Sequence, residues 1–549
     1  MQILASPFVV LKLLLGALLL AALGGSPARA ANLSVNTLSA THTADGLCTL
    51  SEAIINANED SDTTSGDCAA GSGADTITFR VSGTITLDNT LPNITDVDGL
   101  SIDGNGQNVT VSGNNAVQVM RVEAGATLKL LHLTVANGFL TFPPFPGNSD
   151  GGGIYNAGTL NVSNSTFSGN FTISGGGGIY NIGTLTVNHS IFKGNSAFFG
   201  GGITNRGGTL TVTDSTFSGN ESTSSGGGIE NLAGTVSITG STFTRNSNDS
   251  SGGGIDNEGG TLIVSNSTIS GNFAAAGGGG IASTGTLTVV HSTISGNSAT
   301  FAGGILVSRG IFNLANSIVA NNTGHVGEED CRNSAGTVNS SGVNLVEDGS
   351  CGADSDPLHF ITGDPLLGPL ADNGGPTQTH ALLAGSIAID KANNAICAAA
   401  PVNNLDQRGQ SRPVDGDDDG TPVCDIGAYE FVPAYLFSGF FPPVDNPPTV
   451  NTAKAGSAIP IKFRLGGDFG LNIFATLYPK SQPVACESGA PQDDLEQTVT
   501  PGSSSLSYDP TTDTYTYVWE TSKVWAGTCR QFIVKLNDAT EHAVLFSFK

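Results

Sequence analysis

Between Gly151 and Asn322 apolar and polar positions alternate in short bursts, and the bursts return on a fixed period. Each copy reads G-G-G-I, then T-L-x-V, then S-T-F or S-T-I. The isoleucine falls at Ile154, Ile179, Ile203, Ile229, Ile255, Ile281 and Ile305. An asparagine closes each copy at Asn170, Asn195, Asn220, Asn246, Asn272, Asn297 and Asn322, always 25 or 26 residues after the last. Each burst is too short for a helix, alternates with period two and is bounded by Gly, Asn or Ser, so it predicts a strand. Three strands and three turns per copy make one coil of a parallel β-helix, a unit that buries its apolar face only by stacking on its neighbours. At about 4.8 Å per coil the seven copies span roughly 34 Å. Matching residues then stand in files. The inward files are the repeat isoleucines, the Leu and Val of T-L-x-V (Leu185 and Val187 in one copy), and Phe167, Phe192, Phe217, Phe243, Ile269, Ile294 and Val319. The closing asparagines are placed to pass amide hydrogen bonds from coil to coil. The glycines fit tight turns and close backbone approach, and have no phosphate-loop spacing.

The flanks of this array divide the chain. Residues 1–30 carry Lys12, an apolar run from Leu13 to Leu23 and the small-residue end Ala28-Arg29-Ala30, the pattern of a secretory signal; an uncleaved anchor is the alternative. Residues 31–70 hold a short amphipathic helix: Thr49 and Glu52 form a capping box, and Leu50, Ala53, Ile54 and Ala57 share a face. Such a helix is expected to cover the open first edge of the solenoid. Residues 71–150 read as irregular first coils, and Phe139–Pro146 as a loop leaving the rod, its three phenylalanines packing back on the coil in preference to forming a contact patch. Residues 151–322 are the regular coils, and 323–432 are expected to close the C-terminal end. The prolines of 433–448 mark a linker, and 449–549 a small β-sandwich, with runs such as Ile459–Phe463, Tyr515–Trp519 and Phe532–Leu536. The chain is therefore expected to be all-β: a right-handed parallel β-helix, a pectin lyase-like solenoid, followed by a sandwich.

Composition sharpens the picture. Of 549 residues 75 are glycine, and the formal charge is −26, which makes nucleic acid and anionic lipid poor partners. The eight cysteines lie as neighbours: Cys48 and Cys68, Cys331 and Cys351, Cys397 and Cys424, Cys486 and Cys529. In an exported chain these predict four disulfides, each worth roughly 3 kcal/mol by chain entropy. A zinc site would need C-x-x-C or clustered histidines. No membrane span or sorting motif follows, so any surface attachment is expected to be non-covalent.

Four stretches resemble known families. The paired GGxI and F-x-x-N signature resembles the repeats of polymorphic outer-membrane proteins, which are secreted β-helical surface proteins. Cys48, Leu50, Glu52, Ala53 and Ile54 resemble the CSLREA domain that precedes β-helices in exported bacterial proteins; Thr49 and Ser51 depart from its Ser and Arg. Gly363-Asp364-Pro365-Leu366, Asn373-Gly374-Gly375-Pro376, Asp406-Gln407-Arg408-Gly409 and Asp425-Ile426-Gly427-Ala428 resemble the choice-of-anchor Q domain, found ahead of surface-attachment tails. Lys454-Ala455-Gly456-Ser457 and Pro460-Ile461-Lys462-Phe463 resemble the P-x-K-F domain, an accessory module of exported proteins.

Candidate chemistry is sparse. Parallel β-helices host polysaccharide lyases and hydrolases, but fold alone assigns no activity. The regular coils hold only Lys193, Arg206, Arg245 and Arg309 as cations, in different registers. Glu230 and Asp256 follow the repeat isoleucine in consecutive copies, so they form a carboxylate pair on adjacent rungs of the outer face, the raw material of a glycoside hydrolase. Tyr155 and Tyr180 stand in the same file and could carry a sugar. The alternative is a drifting outward position on a flat face. Asp415, Asp417 and Asp419 with Gly420 reproduce the first half of a calcium loop, with Ile426 at the place of its bidentate Glu; Asp425 or Glu430 would have to substitute. A structural calcium ion and a solvated acidic turn both fit. The sequence reads as an exported, non-enzymatic β-helical protein of the extracellular space or cell surface, meeting glycans or cells. A polysaccharide-degrading enzyme using Glu230 and Asp256 is the runner-up.

Overall fold

The computed structural model describes residues 30–549 except 142–149, 326, 352–357, 418, 434, 468, 472, 476, 488–489, 492–494, 501–505 and 539. The signal pattern, but for Ala30, and most of the Phe139–Pro146 stretch lie outside the described residues. Two compact units result: Met1–Arg412 with Cys424–Glu430, and Pro413–Val423 with Phe431–Lys549.

The first unit is a β-solenoid of parallel strands. Successive copies add strands to the same sheets in strict register, Ile154 beside Ile179, Thr159 beside Thr184 and Thr166 beside Ile191. The repeat isoleucines form a nine-stranded first sheet from Met120–Val122 to Cys331–Asn333, and the T-L-x-V segments a twelve-stranded second sheet from Asn32–Val35 to Thr337–Ser341. The S-T-F segments form a third sheet, also of twelve strands, ending at Phe360–Ile361. The inward files are the expected ones. Phe167, Phe192, Phe217 and Phe243 stack in parallel at 4.7, 4.7 and 4.6 Å between ring centres. Each is fully buried.

Two features depart from the expectation of three strands. A fourth sheet, of seven strands, follows the closing asparagine, for example at Ser196–Phe199, Glu221–Ser225 and Phe273–Gly277. Its inward residues, Thr172, Ala197, Ser222, Asn248 and Ala274, are small or polar, so no hydrophobic alternation announces it. Phe139–Leu140 is its first strand rather than loop, and Phe139 packs back on the next coil, stacking on Phe171 at 5.3 Å.

Hydrogen-bonded files hold the corners. Each closing asparagine donates through Nδ2 to Oδ1 of the next, at 2.8–3.0 Å from Asn170 to Asn322, and the file ends on the carboxylate of Asp330 at 2.9 Å. A second file runs Asn156, Asn181, Asn205, Asn231, Asn257, and ends on Ser283. All of these asparagines but Asn322 are fully buried, so along each file the amides satisfy one another where water has no access, leaving only the Oδ1 of Asn156 at the head of the second without a partner among the described residues.

At the N-terminal end helix α1 (Leu50–Asn58) has the capping box of Thr49 and Glu52, and buries Leu50, Ala53, Ile54 and Ala57 against the first strands. After the last coils, residues 363–412 and 424–430 turn back along the outside of the third sheet. Gln378, Gln407, His380 and Ala428 bond to Thr242, Thr268, Ser270 and Thr293. The outward residues Thr242, Thr268, Thr293 and Ile318 are consequently buried, whereas Ile191 in an earlier coil is 43% exposed. This segment is a buttress along the flank.

The second unit is two sheets over one aromatic core of Phe463, Tyr515, Trp519, Phe532 and Phe546. The proline-rich stretch is no linker. Phe440–Phe441 pairs with Lys462–Phe463, and Phe440 and Val444 enter the core, because burying these side chains outweighs the punctuation that the prolines suggest. All four expected cysteine pairs are disulfides.

Candidate functional site

The strand register of the first sheet makes one outward file: Arg121, Tyr155, Tyr180, Thr204, Glu230, Asp256, Ala282, Leu306 and Arg332. Glu230 and Asp256 are adjacent in it, as the copy spacing predicts. The face is not open, however. Glu230 is 2% exposed, Asp256 9%, Tyr155 7% and Tyr180 5%. The glycine run causes this: it bends the end of the fourth sheet back over the file. At Gly200, with φ +55°, a Cβ would lie 2.3 Å from Thr204 Oγ1, and at Gly252 one would lie 2.7 Å from the Asp256 Cβ. Only glycine admits so close an approach.

Inside this recess both oxygens of Glu230 are engaged. Ser225 Oγ donates to Oε1 at 2.9 Å and Thr204 Oγ1 to Oε2 at 3.1 Å. Burial raises the Glu230 carboxyl to about 7 against the pull of those hydroxyls, and Glu258 adds to the rise. Burial, with Glu230 and Glu258 beside it, lifts Asp256 well above the carboxylate range. Arg206, on the surface, lowers Glu230 slightly and donates to Tyr180 Oη at 3.4 Å. Arg206 therefore acts on Glu230 although it lies in another register of its coil. The tyrosine rings stack on each other at 5.7 Å, and the Arg121 guanidinium lies 3.9 Å from the centre of the Tyr155 ring. Ser225 and Arg121 were not legible as partners: one sits in the unannounced fourth sheet and the other in an irregular early coil.

The acidic hairpin belongs to the second unit, where Val414 bridges Val423. Asp415 Oδ2 accepts from the Gly420 N–H at 2.8 Å, Asp417 Oδ1 from Asp419 N–H at 3.3 Å, and Asp419 Oδ1 from Thr421 N–H at 2.8 Å. Asp415 Oδ1 is buried without a hydrogen-bond partner among the described residues. In the first unit Asp425 accepts from Asp390 N–H at 2.8 Å, and Glu430 from Asp425 N–H at 3.0 Å.

Four exposed apolar side chains of the solenoid lie on the fourth sheet and its margin, Ile173 at 43%, Phe198 at 45%, Phe273 at 48% and Phe301 at 42%, while others such as Ile191 and Ile311 stand on the third and second sheets. Among the described residues no helix is long and apolar enough to cross a membrane.

The Chlamydia polymorphic membrane protein repeat family matches residues 214–231, a stretch shorter than one copy that runs from the third sheet through the fourth into the first. The match describes the repeat unit. No curated protein and no solved structure matches the chain.

Proposed function

We propose that this chain is an exported, non-enzymatic β-solenoid that acts by contact at a cell surface, with glycans or neighbouring cells as partners. The observation that carries this reading is the sealing of the acid pair. A hydrolase needs one carboxyl to reach a glycosidic oxygen and a second to reach the anomeric carbon or its water, and Glu230 offers neither access nor a free oxygen. The polymorphic membrane protein repeat supports a surface location, and the exposed Phe198, Phe273 and Phe301 give a partner an apolar surface to meet. The signal pattern of residues 1–30 supports export. In the same reading, residues 31–70, 361–430 and 449–549 act as CSLREA-like, choice-of-anchor Q-like and P-x-K-F-like accessory modules.

One observation favours the polysaccharide-degrading alternative: a carboxyl near 7 suits a general acid. Incubation with a panel of plant and microbial polysaccharides separates the two. Retention without release of reducing ends or unsaturated products is expected. Turnover abolished by Glu230→Gln would replace this reading with the enzymatic one. The partnerless Asp415 oxygen supports a structural calcium ion on the acidic hairpin. Calcium should then raise the melting temperature relative to chelator, and Asp417→Ala should remove the difference; equal melting curves dismiss the ion.

A further inference from the structure

The second unit holds a cleft of about 510 Å³, lined among others by Trp519, Trp525, Glu496, Glu520 and Lys523. That volume is in the range of small-molecule sites. Its aromatic plate is built before any ligand arrives. Trp525 is half-buried, with the Arg530 guanidinium 4.1 Å from its ring centre and the rings of Phe548 and Trp519 at 5.7 and 5.8 Å. Arg530 is held in turn by Glu496. Trp519 is fully buried, and its indole N–H finds no acceptor among the described residues, an arrangement native interiors seldom leave unexplained. At the rim Glu520 and Lys523 are exposed.

The chemistry narrows the ligand. A purely apolar molecule would strip water from Glu520 and Lys523 without replacing it. An anionic one would meet the exposed Glu520 carboxylate and gain nothing from Arg530, which Glu496 already holds. A ring with apolar C–H faces and hydroxyls on its edge satisfies plate and rim together. We propose that this cleft binds a pyranose unit of a neutral glycan, stacked against Trp525 with its hydroxyls taken by Glu520 and Lys523. This names one place for the glycan contact proposed above and rests on that reading.

The chain contains only two tryptophans, Trp519 and Trp525, so indole fluorescence reports on this cleft alone. The full chain is titrated with neutral and acidic oligosaccharides, following emission and calorimetric heat in parallel. A saturable emission change with a neutral oligosaccharide is expected. The double variant Glu520→Gln, Lys523→Ala, exposed and so without effect on melting, should weaken it about tenfold, a ratio typical of losing one or two hydrogen bonds. Trp525→Ala should abolish it, but Trp525 packs on Phe548, so the rim variant decides. Unmoved emission across the panel, unchanged affinity in the rim variant, or response to acidic sugars alone overturns the proposal. Heat of binding with unmoved emission overturns this cleft yet leaves glycan contact elsewhere on the chain standing; neither heat nor emission change removes both.

Discussion

Glu230 couples folding to pH in the sense opposite to an ordinary salt-bridged carboxylate. Its folded value, about 7, lies above the 4.5 of an unperturbed glutamate, so the folded chain holds the proton more tightly. The contribution is complete below about pH 4.5 and is lost as pH rises through 7. Glu230→Gln keeps the uncharged form at every pH. It should match the parent near pH 4 and exceed its stability by about 3 kcal/mol at pH 8, as read by denaturant unfolding at both values. A parent more stable than the variant at pH 8 would show the carboxylate to be ionised at no cost. The comparison must be made by difference, because His291 pulls the other way: burial and Arg412 depress its imidazole, and that contribution fades as pH falls below about 6.5. At this scale sequence spacing revealed that Glu230 and Asp256 are neighbours. It could not reveal their burial, which depends on where the glycine bend sets the fourth sheet.

The stacked coils owe their corners to asparagine files as much as to their apolar files. Asn220 accepts from the backbone N–H and Nδ2 of Asn195, and donates to Asn246 Oδ1 and the Phe192 carbonyl. Asn220→Ala removes these four hydrogen bonds from a dry interior, although Asn246 Oδ1 keeps the residue-220 backbone N–H and Asn195 Nδ2 keeps the Phe167 carbonyl, and a loss of about 3 kcal/mol is expected. Asn161→Ala, on a half-buried strand position, should stay within about 0.5 kcal/mol. Chemical denaturation of the two variants checks both numbers, and equal effects would show that the file carries no weight. Phe217→Ala opens a gap in the ring stack and should cost about 3–5 kcal/mol. The closing asparagines were legible because their spacing never varies. The Asn156–Asn257 file was not, since an asparagine shortly before glycine reads as a turn residue. The fourth strand escaped for a related reason: backbone ladders between coils make it, with no apolar rhythm to mark it.

The whole solenoid has a bare stretch and a buttressed one, and the sequence conceals the boundary. The outward position of the third sheet is Thr166, Ile191 and Thr216 where it is bare, and Thr242, Thr268, Thr293 and Ile318 where residues 363–412 and 424–430 cover it. The same residue types serve both, so only contacts far along the chain tell them apart. Removal of one period therefore has two outcomes. Deleting residues 171–195 joins Asn170 to Ser196 in register within bare coils, and the product should fold with a melting temperature close to the parent's. Deleting 247–272 also preserves register, but it takes away Thr268 and Ser270, the partners of Gln407 Oε1 and His380 Nε2. That product should melt earlier or accumulate as aggregate. Equal behaviour of the two deletions would deny the buttress any role in stability.

This division gives the molecule an adjustable end and a fixed one. Near-identical copies in a gene invite slippage and unequal exchange between strands of DNA, and each such accident inserts or excises one coil. Within the unbuttressed coils an accident of that kind changes reach by a single rung and leaves every side-chain file intact. Lineages could thus lengthen or shorten this rod by copying errors alone, while the clasped half keeps its dimensions.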